Sequence, residues 1–548
     1  MHESSRAISP VRQGGRHRLA VMLVLGVSAV TASGAEFRWS GASGDWHSPF
    51  NWQPLGVPGI ADRAVVDSGT ASLSFAHTVG ELRQRGGTIS GSDLTITGPA
   101  IVTGGTHGGG GTTRFDGDLA ITGNAAFTLA GSSAAWRTLR AAGTTEWSGN
   151  SSTGGNAIAF DGTGANIENL GTWIDRNSFS TSLGAGPGGN HIFDNRFIFF
   201  FNVSGTTEIY SNFRNPASGK VEVIAGQLTL LGTVADGVPS PSSWGSYHVA
   251  QGATLRFGRG DPASSPTASI DGSRLSGAGR VLIDGHRVSF GAGLGVTSTI
   301  DHAGQLAIFS GRLDGLTSTD ARVASFEQRG GTLANSGTLT VTGPASLLGG
   351  RQSGPGATRF EGLLYIVGGS GHTLAEGRSM STAGTTIWDG AGSPGAIGFS
   401  GSATLINSGT WNDLNAVDSH IGQGDGGRKA FVNSGTYHKL GPATTSVHAA
   451  FTNTGTLDLG GGVFQVESAD FANRGLMRGA GQIGAASGFR LRSTGIIAPG
   501  DPVGTLTVDA SLDMRGTLGE LQIDLVAPTL HDRLVVNGTI WLGGSLMI

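Results

Sequence analysis

Residues able to do chemistry are few and scattered along the 548 positions. The absence of cysteine removes thiol nucleophiles, disulfides and thiolate metal sites together. Fourteen histidines occur without an H-E-x-x-H phrase or a close pair, so the sequence offers no metal site. An arginine followed two residues later by an acid occurs at Arg114/Asp116 and at Arg359/Glu361. On a strand such residues share one face and read as a solvated ion pair. The best single candidate for acid–base work is Asp175 with Arg176 beside it, but the matching Asp413 is followed by Leu414 and lacks the base. Asn177 and Asn415 stand two residues after these acids. Polysaccharide-cleaving enzymes need clustered carboxylates with a cation, or two acids across one groove. No Asp-Asp pair and no acid-rich phrase supplies either.

Three further phrases carry less than they spell. Gly184-Ala-Gly186-Pro-Gly-Gly189 and Gly422-Gln-Gly424-Asp-Gly-Gly427 fit G-x-G-x-x-G but open no helix, so no phosphate cradle is expected. Asp425 suggests a calcium loop, yet the spacing is wrong and its counterpart is Pro187. Arg259-Gly260-Asp261 reads as a turn, because Gly-Asp-Pro returns at 500–502 without the arginine. No cofactor is expected, and the chain reads as a protein that is not an enzyme.

The elements that must position these residues are strands. Phe431-Val-Asn433-Ser-Gly435-Thr-Tyr437 returns as Phe451-Thr-Asn453-Thr-Gly455-Thr-Leu457 and Phe471-Ala-Asn473-Arg-Gly475-Leu476, every twenty residues. A period of that size, carrying short β-prone runs without a helical pattern, predicts a solenoid of stacked coils. Alternation in Thr-Leu-Asp-Leu at 456–459 and Val-Phe-Gln-Val at 463–466 is the strand period of two, with the apolar residue inward. Asn-x-Gly is expected to make the corner through left-handed angles, and in-register asparagines to ladder their amides along the axis. The expected fold is all-β, a right-handed single-stranded parallel β-helix of about twenty coils at ~4.8 Å spacing, with internal duplication.

Composition agrees with a folded repeat. The 96 glycines punctuate apolar strands, and 14% charged residues are too few to keep a chain expanded. A net charge of −4 supplies no basic footprint for nucleic acid. At the N-terminus, Arg12, Arg16, His17 and Arg18 precede the apolar run Leu19–Val30 and the small residues Ala32-Ser-Gly-Ala35. This is a basic, an apolar and a small-residue region in signal-peptide order, so export and a mature chain from Glu36, without a membrane span, are expected.

Immediately afterwards come Trp39-Ser-Gly41, Gly44-Asp-Trp46 and Asn51-Trp52. This segment resembles the opening of large exported bacterial β-helix proteins, the autotransporter-passenger-like and filamentous-haemagglutinin-like exoproteins. Ile497–Val508, Leu521–Leu525 and Asp532–Gly538 resemble their C-terminal coils. In that family such coils precede an outer-membrane barrel or a sorting anchor; the sequence stops at Ile548 without either, which implies a released protein or a longer chain. Physically, three tryptophans at a solenoid end can cover its open core. They serve equally well as a stacking platform for sugars, which requires exposed rings.

A larger repeat lies over the twenty-residue grain. Gln84-Arg-Gly-Gly-Thr88 matches Gln328–Thr332, Thr113-Arg-Phe115 matches Thr358–Phe360, Trp147 matches Trp388, and Asn169-x-Gly-Thr-Trp173 matches Asn407–Trp411. The expected plan is a signal peptide at 1–35, an N-terminal cap with first coils at 36–74, a repeat unit at 75–245, connecting coils at 246–319, a second unit at 320–470 and C-terminal coils at 471–548. What recurs is mainly Gly, Thr, Asn, Pro and inward apolar types. His191, His420 and Glu146 face Lys429, Ser182 and Ile387. The reading is an exported, surface-associated structural or adhesin-like protein with an extended binding face, its partner a polysaccharide or another surface macromolecule, with self-association open. The alternatives are a polysaccharide lyase or glycosidase and a non-catalytic carbohydrate-binding protein. Trp39, Trp46, Trp52, Asp175 and Asp413 are the ligand candidates.

Overall fold

The computed structural model describes residues 34–548 except 150–156, 187–189, 236–244, 261–266, 271, 291, 294–295, 298, 316–320, 369–370, 501 and 517. The basic and apolar N-terminal run, the Pro- and Ser-rich stretch 236–244, Pro187 and Asp261 lie outside the described residues. Among the described residues every regular element is a β-strand, apart from one 3-10 turn at Pro49–Asn51. Among the described residues no helix is long and apolar enough to cross a membrane.

Parallel strands stack in three ladders to form a β-solenoid of about 20 turns. One face runs through Lys429–Asn433, Ala450–Asn453, Phe471–Asn473 and Arg490–Ser493. A second runs through Thr436–Lys439, Thr456–Leu459, Leu476–Gly479 and Ile496–Pro499. The third runs through Thr444–Val447, Val463–Val466, Gln482–Ala485 and Thr505–Asp509. In Ile198–Ile209 and Lys220–Leu230 the first two faces merge into one long strand. Strand residues alternate between buried and partly exposed, so one apolar column per face fills the centre. Phe431, Phe451 and Phe471 stand in register with ring centroids 5.2 and 5.8 Å apart, the first pair tilted and the second edge-on.

The Asn-x-Gly phrase folds for reasons that differ partly from expectation. The asparagines do ladder: Asn407, Asn433 and Asn453 each donate Nδ2 to the next Oδ1 at 2.7–2.8 Å, and Asn473 donates to Ser493 Oγ at 3.0 Å. Each also donates to a backbone carbonyl, Thr436 O, Thr456 O, Leu476 O and Ile496 O in turn. Neither these asparagines nor Gly435, Gly455 and Gly475 adopt positive φ. Glycine is required because a Cβ at Gly455 or Gly475 would lie 2.1 Å from the carbonyl oxygen of the glycine one coil below. The corner is dictated by close approach of coils rather than by left-handed backbone.

Matched residues of the two segments occupy different faces. Trp147 and Trp173 lie on the first face, whereas Trp388 and Trp411 lie on the second. Asn169 and Asn195 lie on the third face, whereas Asn407 and Asn433 lie on the first. The matched segments are therefore out of phase by one face of the stack.

Candidate ligand-binding groove

The candidates read from sequence turn inward. Trp52 packs edge-on against Trp39 and Trp46, with centroids 5.1 and 4.7 Å apart. Trp52 Nε1 donates to Trp46 O at 2.7 Å, and Trp39 Nε1 donates to Ala42 O at 2.7 Å. All three rings are buried, Trp46 and Trp52 completely, so they close the core of the first coil and offer no face to a sugar. The burial agrees with the expected cap over the core and counts against the stacking platform, because edge-on packing uses up the ring surface that a ligand would need.

Asp175 is fully buried. Its Oδ1 accepts from Asn177 N at 3.1 Å and Asn177 Nδ2 at 2.7 Å, and its Oδ2 accepts from Thr207 Oγ1 at 2.7 Å. Burial pushes its carboxyl up to about 6, against the pull of these donors. Arg176 points outward and pairs with Glu146 at 3.5 Å, so neighbours in sequence stand on opposite sides of the strand. Asp413 repeats the inner half of this pattern, accepting from Asn415 N at 3.2 Å and Asn415 Nδ2 at 2.8 Å. Its Oδ2 also accepts from Tyr437 Oη at 2.8 Å and from the Thr445 hydroxyl, with Lys439 Nζ 3.8 Å away. Lys439 is itself fully buried and donates to Gly441 O at 2.7 Å. Burial lowers the Lys439 pKa and Asp413 opposes it; burial and Asp413 together raise Tyr437 well above the phenol range.

Two buried arginines escape notice in the sequence because each opens a strand with few apolar residues, Arg137–Ala141 and Arg378–Thr382, whose alternation turns that first position inward. Arg137 donates to Gly91 O, Gly110 O and the Thr113 hydroxyl; Arg378 donates to Asn335 Oδ1, Gln352 Oε1 and the Thr358 hydroxyl. Burial holds each guanidinium down to about 10. Beside them, His107 Nε2 lies 2.7 Å from Gln84 Oε1, and Gln352 Nε2 donates to Gln328 Oε1 at 3.3 Å. These networks tie interior groups to one another, out of reach of a ligand.

The outer surface carries a site of another kind. Three depressions of about 800, 440 and 570 Å³ follow one another along the corner where the third face passes to the first. The first and second share Ala450 and Asp470, and the second and third share Ala469 and Arg492, so they form one groove. It crosses the strands that begin at Lys429, Ala450, Phe471, Arg490 and Ser511, roughly 20 Å at the spacing of parallel strands. Small residues make the floor, among them Ala430, Ala450, Ala472 and Ala485, because the chain turns this corner with alanine, serine and glycine. The long side chains lining it are mainly cationic: Arg428, Lys429, Arg474, Arg490 and Arg492, with His448 among them. Asp470 and Asp509 are the only acids in the lining.

No family model, curated protein or solved structure matches this chain. The groove must therefore be read from its own geometry. Its residues escaped sequence reasoning because they lie about twenty positions apart and only the stack brings them together. The periodic signal was present: Ala450 and Arg490 lie in one outward column, as do Ala472 and Arg492, whose strands pair directly. The expected Arg–acid pairs form as ion pairs, Arg114 Nε to Asp116 Oδ1 at 2.6 Å and Arg359 Nε to Glu361 Oε1 at 3.1 Å, outside the groove.

Proposed function

We propose that the protein is an exported, surface-associated scaffold of the adhesin-like kind, non-catalytic, that holds an extended polymer against its flank. The carrying observation is the groove: open along the stack axis, floored by small residues and continuous over five coils. Such a site suits a long chain contacted weakly at several coils, where the sum of contacts gives affinity. The buried Asp175 and Asp413 support the non-catalytic reading, since each is consumed in an interior network. The N-terminal basic and apolar segment and the resemblance to exported β-helix proteins support export. We also infer a right-handed winding and an origin by internal duplication; the matched Arg137/Thr113 and Arg378/Thr358 pairs support the latter.

Incubating the purified protein with plant, algal and bacterial polysaccharides, while following retention and new chain ends, tests the reading. Retention without cleavage is the expected result. New chain ends would replace it with an enzyme, and retention by none would remove the polysaccharide partner. N-terminal sequencing of the extracellular fraction should begin near Glu36.

A further inference from the structure

Resting on that reading, we propose that the groove takes a linear polysaccharide bearing carboxylates, whose acidic groups are held by Arg428, Arg474 and Arg492. Across the rest of the outer surface, arginines are commonly neutralised by an acid on an adjacent coil. Arg63 meets Glu81, Arg140 meets Glu168, Arg256 meets Asp284, and Arg287 meets Asp314. Scattered arginines such as Arg83 and Arg274 stand unpaired elsewhere, but in the groove three gather: Arg428, Arg474 and Arg492 are exposed and form no ion pair among the described residues. Arg490 is engaged by Asp513 Oδ2 at 3.5 Å, and Lys429 by the Gly424 carbonyl. Three unmatched guanidinium forks along one trough, on a chain of net charge −4, are complementary to a polymer that presents carboxylates at intervals.

The remaining lining selects among polyanions. Asp470 and Asp509 stand between the cations, with Asn537 Nδ2 donating to Asp509 Oδ1 at 3.4 Å. Carboxylates there accept hydrogen bonds from hydroxyl groups, which a sugar acid supplies between its charges. A polyphosphate has no such donors and meets repulsion at both acids. Single-stranded nucleic acid needs successive aromatic platforms; in the groove Phe489 and Trp541 stand at the C-terminal end, the His448 imidazole at the other, and the Phe471 ring between them is buried in the core. At the C-terminal end Arg490 and Arg515 lie 5.7 and 5.1 Å from the Trp541 ring centroid, so cations gather on that ring as well. The alanine floor lets the polymer approach the backbone.

The test is binding of the full chain to polygalacturonate, with fully methyl-esterified polygalacturonate, inorganic polyphosphate and duplex DNA as comparators. Polygalacturonate should bind at least about tenfold more tightly than the ester and than either phosphate polymer, and binding should weaken as salt is raised. Arg474→Gln with Arg492→Gln should weaken it by about tenfold or more, with an unchanged thermal transition. Arg114→Gln with Arg359→Gln, outside the groove, should leave it unchanged. Equal binding of the ester would overturn the carboxylate assignment while leaving the polymer-holding scaffold intact. Equal or tighter binding of polyphosphate or DNA would overturn the sugar-acid assignment in favour of a general polyanion site. Binding of none of the polymers would overturn both readings, and binding unaffected by Arg474→Gln with Arg492→Gln would place the site elsewhere.

Discussion

The segments 75–245 and 320–470 share part of their interior hydrogen bonding and differ more on their surfaces. Inside, Asp175 and Asp413 accept the same two hydrogen bonds from Asn177 and Asn415, and Arg137 and Arg378 each reach a threonine hydroxyl. At the corner, the positions matched to Arg428, Lys429 and His448 are Asn190, the buried His191 and Tyr210, without a Lys or Arg among them. Because matched residues are also displaced by one face of the stack, even an identical surface would point in another direction. Packing and backbone satisfaction constrain what lies inside a coil. The outer corner is free of those demands, which is where chemistry can differ between segments.

The buried acids sharpen this comparison most, since one pattern is expected to give opposite effects. Asp413→Asn strands Lys439 in the interior with Gly441 O as its remaining partner. A loss of about 3–5 kcal/mol is expected, read from urea unfolding by tryptophan fluorescence. Adding Lys439→Met should recover part of that loss; no recovery would show that the pair is not coupled.

Asp175 has no cation, and its folded pKa of about 6 lies above the unfolded carboxyl value. Its ionised form is therefore disfavoured in the fold. The penalty is absent near pH 4, develops as pH rises toward 6 and is complete above, amounting to about 3 kcal/mol at most. Asp175→Asn should raise stability at pH 7 by up to that amount and leave it nearly unchanged at pH 4. Parallel unfolding curves with no pH-dependent difference would break the account.

The smallest effect concerns the ends of the amide ladders. Thr382 Oγ1 donates to Asn407 Oδ1 at 3.1 Å, whereas Ala141 stands at the matched position and Asn169 Oδ1 has no hydrogen-bond partner. Ala141→Thr should add about 1 kcal/mol by supplying the missing donor. Hydrogen exchange at 165–169 reads this locally, and faster exchange would show that the pocket cannot hold the hydroxyl.

The fold was legible because coil stacking writes itself into the chain. Phe431, Phe451 and Phe471 must meet, Asn433, Asn453 and Asn473 must bond, and both demands repeat every twenty residues. The reason for the glycines was read incorrectly, since close approach between coils is a property of neighbours that a single turn does not display. Asp175 and Arg176 looked like a pair because adjacency in sequence hides the alternation of strand sides. The groove was legible only as an outward periodicity, not as a site. Arg474 and Arg492 become neighbours of one trough only when the coil length, corner position and face are known together.

On the proposed reading the outer corner of the later coils, and not its counterpart in the first segment, carries the binding activity. Hydrogen–deuterium exchange of the full chain with and without polygalacturonate separates the two corners. Added protection is expected in peptides covering 428–430, 448–452, 468–474 and 486–494, with none at 190–192 or 210–214. Protection at the earlier corner, or at the Trp39–Trp52 lid, with the later corner unchanged would contradict it.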